Sequence, residues 1–162
     1  MQSKKSRVLV IGLGNPILGD DGVGWRVAEG VKKQLTPDLL VDVDCLSLGG
    51  ISLMERLIGY GRVILIDAFA LEEPVGSILI LKLSDLPHYS AFHTASTHDV
   101  SLQTAIDLGK SMGAELPDDV TVVGIATKRV CDFSKSLSPP VAEAVPQAVK
   151  FVLDLLGEKK KV

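Results

Sequence analysis

Cysteine is scarce in this 162-residue chain, with only Cys45 and Cys131 present. Two isolated thiols exclude a disulfide framework and a CxxC metal clamp, and they point to a reducing, cytoplasmic setting with both thiols idle. An excess of one charge is also missing. The 17 Lys and Arg stand against 20 Asp and Glu for a formal net charge of −3, and the dense basic runs are confined to the ends, at Lys4, Lys5 and Lys159 to Lys161. No extended phosphate-binding face is expected, so nucleic acid is not an expected partner. Long apolar runs are absent too. Gly, Pro or Asp cuts each one within about a dozen residues, short of the ~20 that a membrane span needs, and no membrane insertion is expected. The apolar stretch from Val8 follows Lys4, Lys5 and Arg7 but runs into Asp20 and Asp21 rather than a small-residue cleavage site, so it reads as a first strand and not as a signal peptide.

What is present describes one domain over residues 1–162. The chain is 46% hydrophobic and 23% charged, and at this length about two-thirds of the unfolded surface is buried on folding, enough for a core without metal or disulfide staples. Val8 to Leu13 reads as a buried strand that stops at Gly14, Asn15, Pro16. Val23, Val27 and Val31 recur at helical spacing and predict a helix over Val23 to Gln34. Leu39 to Leu46 alternates apolar residues with Asp42 and Asp44 as a half-exposed strand does, and Gly49 and Gly50 turn the chain into a short helix from Ile51 to Ile58. Val63 to Ile66 is apolar on both faces, the mark of a central strand covered on each side, and it is expected to end at Asp67. Ser77 to Leu83 follows a short turn and reads as an edge or antiparallel strand. After a polar loop over Pro87 to Ser96, a helix is predicted from Thr97 onward with Thr97 as its cap. Val120 to Ala126 is a last buried strand, and Pro139 and Pro140 open a C-terminal amphipathic helix. Strands alternating with helices imply an α/β fold, a three-layer α/β/α sandwich around a mostly parallel, twisted, five-stranded sheet. Ligands then belong outside the carboxyl ends of the strands.

The residues at those ends carry the candidate chemistry. Gly12, Leu13, Gly14 opens like a dinucleotide fingerprint, but Ile17 stands where the third glycine belongs. Asp20 and Asp21 would repel a phosphate held there unless a cation intervened, which favours a cation. Their alternative use is to cap and charge a helix start. Asp67 closes an apolar central strand, where an unpartnered carboxylate costs several kcal/mol, so it needs a metal, an arginine or backbone donors. Arg62 lies too far along the strand to serve. His98, placed at a helix start, is held neutral by the helix dipole and is available as a ligand, though such a histidine is also a common surface residue. His88 and His93 are rivals without distinguishing context. Two carboxylates and an imidazole from three loops suit Zn, Ni, Mn or Fe with positions left open for water or substrate.

Taken together, these segments resemble a known family. VLVIGLGNPILGDDGVG over Val8 to Gly24 is similar to the amino-terminal signature of the nickel–iron hydrogenase maturation endopeptidases. The resemblance continues through Leu48, Gly49, Gly50, through ILIDA at Ile64 to Ala68, through Thr97, His98, Asp99, and through Gly124, Ile125. It implies a protease that trims the C-terminal tail of a hydrogenase large-subunit precursor, with a metal held by one first-loop carboxylate, a strand-end Asp and a helix-start His. Carried over by position, these are Asp21, Asp67 and His98, with Asp20 a possible substitute for Asp21. Leu48 stands where the family often has an acidic residue before the glycine pair, so no charged substrate contact is expected from that loop.

The resemblance implies single-site hydrolysis of a precursor that already carries nickel. In one version Asp21, Asp67 and His98 contact nickel presented by the precursor, which polarises the scissile carbonyl or acidifies a water. In a second they hold a resident ion such as zinc, and in a third Asp21 or Asp67 forms a metal-free acid and base pair. Gly49, Gly50 and Asn15 are the expected substrate contacts, with a plain turn as the alternative for the glycines. Two other function classes compete. GLGNP at Gly12 to Pro16 also resembles the opening loop of peptidyl-tRNA hydrolase, which predicts a basic face and a glycine where Ile17 stands, and a non-enzymatic nucleotide-binding module is disfavoured by Ile17 and the Asp pair.

Overall fold

A computed structural model describes residues 6–89, 100–128 and 132–157. Its strands are β1 (Val8–Leu13), β2 (Val41–Leu46), β3 (Arg62–Ala70), β4 (Ile78–Lys82) and β5 (Asp119–Thr127). Its helices are α1 (Val23–Gln34), α2 (Gly50–Leu57), α3 (Leu102–Ser111) and α4 (Pro139–Gly157), with short 3₁₀ turns at Gly19–Gly22 and Leu83–Asp85. The sheet order is β2-β1-β3-β5-β4. All pairings are parallel except that of β4 with β5, which is antiparallel and places β4 at the edge. The α/β sandwich and its mostly parallel five-stranded sheet are as the sequence predicts.

The three layers follow from strand alternation. Leu9, Ile11, Leu13, Leu65 and Phe69 point to one face and pack with α2 and α3 residues such as Leu53, Leu57, Leu102 and Ile106. Val10, Ile64, Ile66, Val123 and Ile125 point to the other face, against Val23, Val27 and Val31 of α1 and Val141, Ala148 and Val152 of α4. Leu65, Ile66 and Ile64 are fully buried, each worth roughly 1.5–3 kcal/mol of transfer free energy. Asp42 and Asp44, on the outer strand β2, are neutralised by Arg7 and Arg56 respectively.

Two boundaries differ from the sequence reading in ways that matter for the site. β3 does not end at Asp67 but runs to Ala70, because β5 continues beside it, with Asp67 opposite Gly124 and Ala70 opposite Thr127. The pairing of β3 with β1, by contrast, stops at Gly12 and Ile66. Asp67 is thus the first β3 residue past its pairing with β1. The third helix begins at Leu102, not near Thr97, and its cap is Ser101, whose hydroxyl accepts the Thr104 N–H at 3.2 Å. The expected cap Thr97, and with it His98, lies outside the described residues, and the helix-start argument for an uncharged His98 loses its basis.

Candidate active site

The chain leaves β1 toward β2 on one side and returns through β3 on the other, with α1 and α2 on opposite faces of the sheet. Between the carboxyl ends of β1 and β3 the strand order therefore reverses, which is where open α/β sheets bind ligands. The loop that fills this crevice is Gly14 to Gly22. It is held there by a close approach of backbones: a Cβ on Gly24 would stand 2.3 Å from the Leu13 carbonyl oxygen and 2.5 Å from that of Ile66. Gly24 thereby lets α1 start directly above both strand ends. Gly14 has φ +136°, and a Cβ there would meet the Asp21 carbonyl oxygen at 1.9 Å, so only glycine fits. Ser47 closes the loop from the β2 side by donating its hydroxyl to the Gly14 carbonyl at 2.5 Å.

The two neighbouring aspartates have different partners. Asp20 turns to α4, where its carboxylate accepts the Ser138 backbone N–H at 2.6 Å and the Ser138 hydroxyl at 2.7 Å. Asp21 turns inward and accepts the Asn15 N–H at 2.7 Å. Neither caps the 3₁₀ turn or α1, both of which start without a side-chain cap. The capping part of the expected use is therefore not observed, while both aspartates do stand in the first turn of the 3₁₀ segment that leads into α1. Asn15 shapes the loop, its side-chain oxygen accepting the Ile17 N–H at 3.2 Å and its carbonyl accepting the Leu18 N–H at 3.1 Å.

Asp67 is fully buried. Its Oδ1 accepts the Ala68 N–H at 2.9 Å and its Oδ2 accepts the Tyr89 hydroxyl at 2.6 Å. These neutral donors do not balance the loss of water. Burial above all, with the nearby negative charge of Asp21 adding to it, pushes the Asp67 carboxyl up to about 8, against the smaller opposing effect of its two donors. Arg62, at the opposite end of β3, instead stands 3.3 Å from Asp119.

Tyr89 is a residue that sequence reasoning missed. It is buried, its ring lies 5.6 Å from that of Phe69, and its own hydroxyl is held protonated by burial and by Asp67. It falls in a stretch read as a polar loop. The available signal is that a carboxylate in an apolar strand needs donors, and a tyrosine joins a large apolar ring, suited to a core, to a hydroxyl donor.

The structure thus brings Asp21 and Asp67 into electrostatic contact and leaves Asp20 engaged elsewhere. His98 and His93 lie outside the described residues, and His88 is exposed. Gly50 has φ +51° at the start of α2 and Gly49 is extended, so the turn itself accounts for a glycine at position 50. Cys45 is half-buried, its thiol pushed up by burial, while Cys131 is outside the described residues. Among the described residues no group of three His, Cys, Asp or Glu could hold a metal, so Asp21 and Asp67 offer two carboxylates of a set that needs a further donor. They suit a divalent ion nonetheless: a cation between them would relieve the mutual repulsion and burial that hold Asp67 toward its neutral form.

Comparison with known proteins decides the family. Residues 25–155 match the family model described as hydrogenase maturation protease. The chain belongs to the hydrogenase maturation protease family. A relative from Methanocaldococcus jannaschii that carries the family's name is 30% identical over 161 residues, 98% of this chain and 99% of that one. The fold is similar to that of the hydrogenase maturating endopeptidase HybD from E. coli, with 26% identity, a TM-score of 0.74, and 94% and 93% of the two chains covered. It is also similar to a hydrogenase 2 maturation peptidase from a Thaumarchaeota archaeon, with 34% identity, a TM-score of 0.68, and 93% and 98% covered. This maturation protease is therefore a hydrolase, an endopeptidase of hydrogenase maturation, and the hydrolase of peptidyl-tRNA and the nucleotide-binding module are set aside. Among its described residues no helix is long and apolar enough to cross a membrane.

Proposed function

We propose that this maturation protease removes the C-terminal extension of the large subunit of a nickel–iron hydrogenase precursor once nickel has been inserted. The observation that carries the reading is a fully buried carboxyl group without a cationic partner among the described residues, Asp67, at the crevice between β1 and β3 with the charge of Asp21 beside it. Such a pair is poised for a cation brought to it. Nickel is here part of the substrate, contacted by Asp21, Asp67 and His98, and zinc or another divalent ion is the alternative occupant. A divalent ion at that point supplies polarisation of the scissile carbonyl or acidification of a water. The protein's own part is to orient two carboxylates from fixed backbone: Asp21 through the Asn15 N–H, Asp67 through the Ala68 N–H and Tyr89. With the cation absent, Asp67 keeps its proton near neutral pH and the site is inert toward ordinary peptides.

Asn15, Gly49 and Gly50 are the proposed backbone contacts to the tail. A neighbouring cleft of about 570 Å³, which includes Asp20, Ser136, Leu137 and Pro140 in its wall, offers a path for the extended chain. The test is to incubate the protein with nickel-loaded and nickel-free large-subunit precursor and to follow the tail by mass spectrometry. Cleavage of the nickel-loaded form alone is expected. Cleavage of neither form removes the proposal, and equal cleavage of both removes nickel recognition from it.

A further inference from the structure

We infer that Tyr89 is a positioning residue for this site, aiming the Asp67 carboxylate at the crevice and tying it to the start of α3. The inference rests on the proposed function but is carried by separate contacts. The Tyr89 hydroxyl donates to Asp67 Oδ2 at 2.6 Å, while Asp67 Oδ1 is occupied by the Ala68 N–H at 2.9 Å. Each oxygen of the carboxylate thus has one lone pair committed to the protein. The carboxylate plane is fixed and only the remaining lone pairs are free to face a cation.

Tyr89 cannot follow a moving Asp67. Its ring packs on Phe69, two residues along the same strand, and its side chain is buried among Leu65, Leu83 and Leu102 of one core. Its backbone is held at both groups: its N–H donates to the Leu86 carbonyl at 3.0 Å, and its carbonyl accepts the Leu102 N–H, the first of α3, at 3.0 Å. One residue therefore joins β3, the loop after the Leu83–Asp85 turn and the beginning of α3. A donor that merely satisfied a buried carboxylate would not need this bracing. Partners that orient metal-contacting carboxylates typically change metal affinity or activity by about 10- to 100-fold when lost.

Tyr89→Phe removes the hydroxyl and keeps the packed ring. The expected result is a folded protein whose affinity for Ni²⁺ or Zn²⁺, measured by calorimetry on the metal-free protein, falls by about 10- to 100-fold, with kcat on the nickel-loaded precursor reduced and KM unchanged. A residue that served only structure would lower the melting temperature and move neither readout. Retained cation affinity together with wild-type kcat in the folded variant overturns the inference. If cation binding falls while wild-type and variant alike fail to cleave precursor, the inference stands and the proposed function fails. A second measurement covers failure of the variant to fold. The chain has two tyrosines, so global 3-fluorotyrosine labelling yields two ¹⁹F signals that Tyr60→Phe assigns. Addition of Zn²⁺ is expected to shift the Tyr89 signal alone, and a Tyr89 signal unmoved by millimolar Zn²⁺ counts against the positioning role.

Discussion

Asp20 and Ser138 are joined across 118 residues of sequence by two hydrogen bonds, so the loop after β1 is anchored to the start of α4 through Asp20 and not through Asp21. The division of labour between the two aspartates is testable. Asp20→Ala should lower stability by about 2 kcal/mol, the scale of losing charge-assisted hydrogen bonds from a partly buried site, while precursor cleavage falls less than about tenfold. Asp21→Ala loses the Asn15 N–H bond but also removes a charge beside Asp67, so it should lower stability less than Asp20→Ala does, and it should cut cleavage by at least about a hundredfold. Denaturation midpoints and tail release measured on both variants decide it. The reverse pattern would make Asp20 the residue that contacts the cation.

Burial of Asp67 has a pH signature. Its folded-state carboxyl lies at about 8 against an ordinary 3.8, so the metal-free folded protein holds a proton that the unfolded chain has released. The stabilising contribution is full below pH ~4 and is lost as pH rises through the window to about 8. Urea midpoints of the metal-free protein should therefore fall between pH 5 and pH 8.5, and Asp67→Asn should flatten that slope. An unchanged slope in Asp67→Asn would show that another group governs it.

Much of this arrangement was legible in the sequence because it depends on local pattern. The Val23, Val27, Val31 spacing marks α1 with both its ends, and the apolar run ahead of Asp67 marks the central strand. Asp67 was recognisable because a carboxylate after four apolar residues is costly whatever the fold. What escaped depends on contacts between distant segments. The continuation of β3 to Ala70 is set by β5, and the Asp20 anchor by Ser138. The start of α3 at Leu102 is not legible because Thr97 and Ser101 are both competent cap residue types, and the Ser101 to Thr104 bond is an outcome of folding that composition does not show. Tyr89 stayed hidden in a segment whose composition reads as exposed loop.

Gly24 is a packing requirement of the site. A methyl group there would lie 2.3 Å and 2.5 Å from two carbonyl oxygens at the ends of β1 and β3. Both are backbone atoms of central strands and cannot retreat cheaply. Gly24→Ala should destabilise the protein by about 3 kcal/mol or more and, in the fraction that folds, reduce cleavage by lifting the Asp20 and Asp21 turn. Thermal melts and initial rates at low temperature test this. A variant as stable as wild type would mean that α1 can shift freely over the strands.

Ser136 lines the cleft next to Asp20, its N–H donating to the Ser134 hydroxyl at 3.1 Å. Ser136→Trp fills part of that space and should raise KM for the precursor by about tenfold while leaving kcat intact, the pattern of lost uniform binding. Steady-state kinetics over a range of precursor concentrations report the split. A change in kcat with KM constant would place the tail elsewhere.

Crystals soaked with nickel or zinc provide the sharpest examination of the whole account. The anomalous difference map should contain one peak bonded at about 2.0–2.2 Å to oxygens of Asp21 and Asp67 and to a nitrogen of His98. A peak bound to other side chains, or a His98 ring on a different face of the molecule from the two carboxylates, would contradict it.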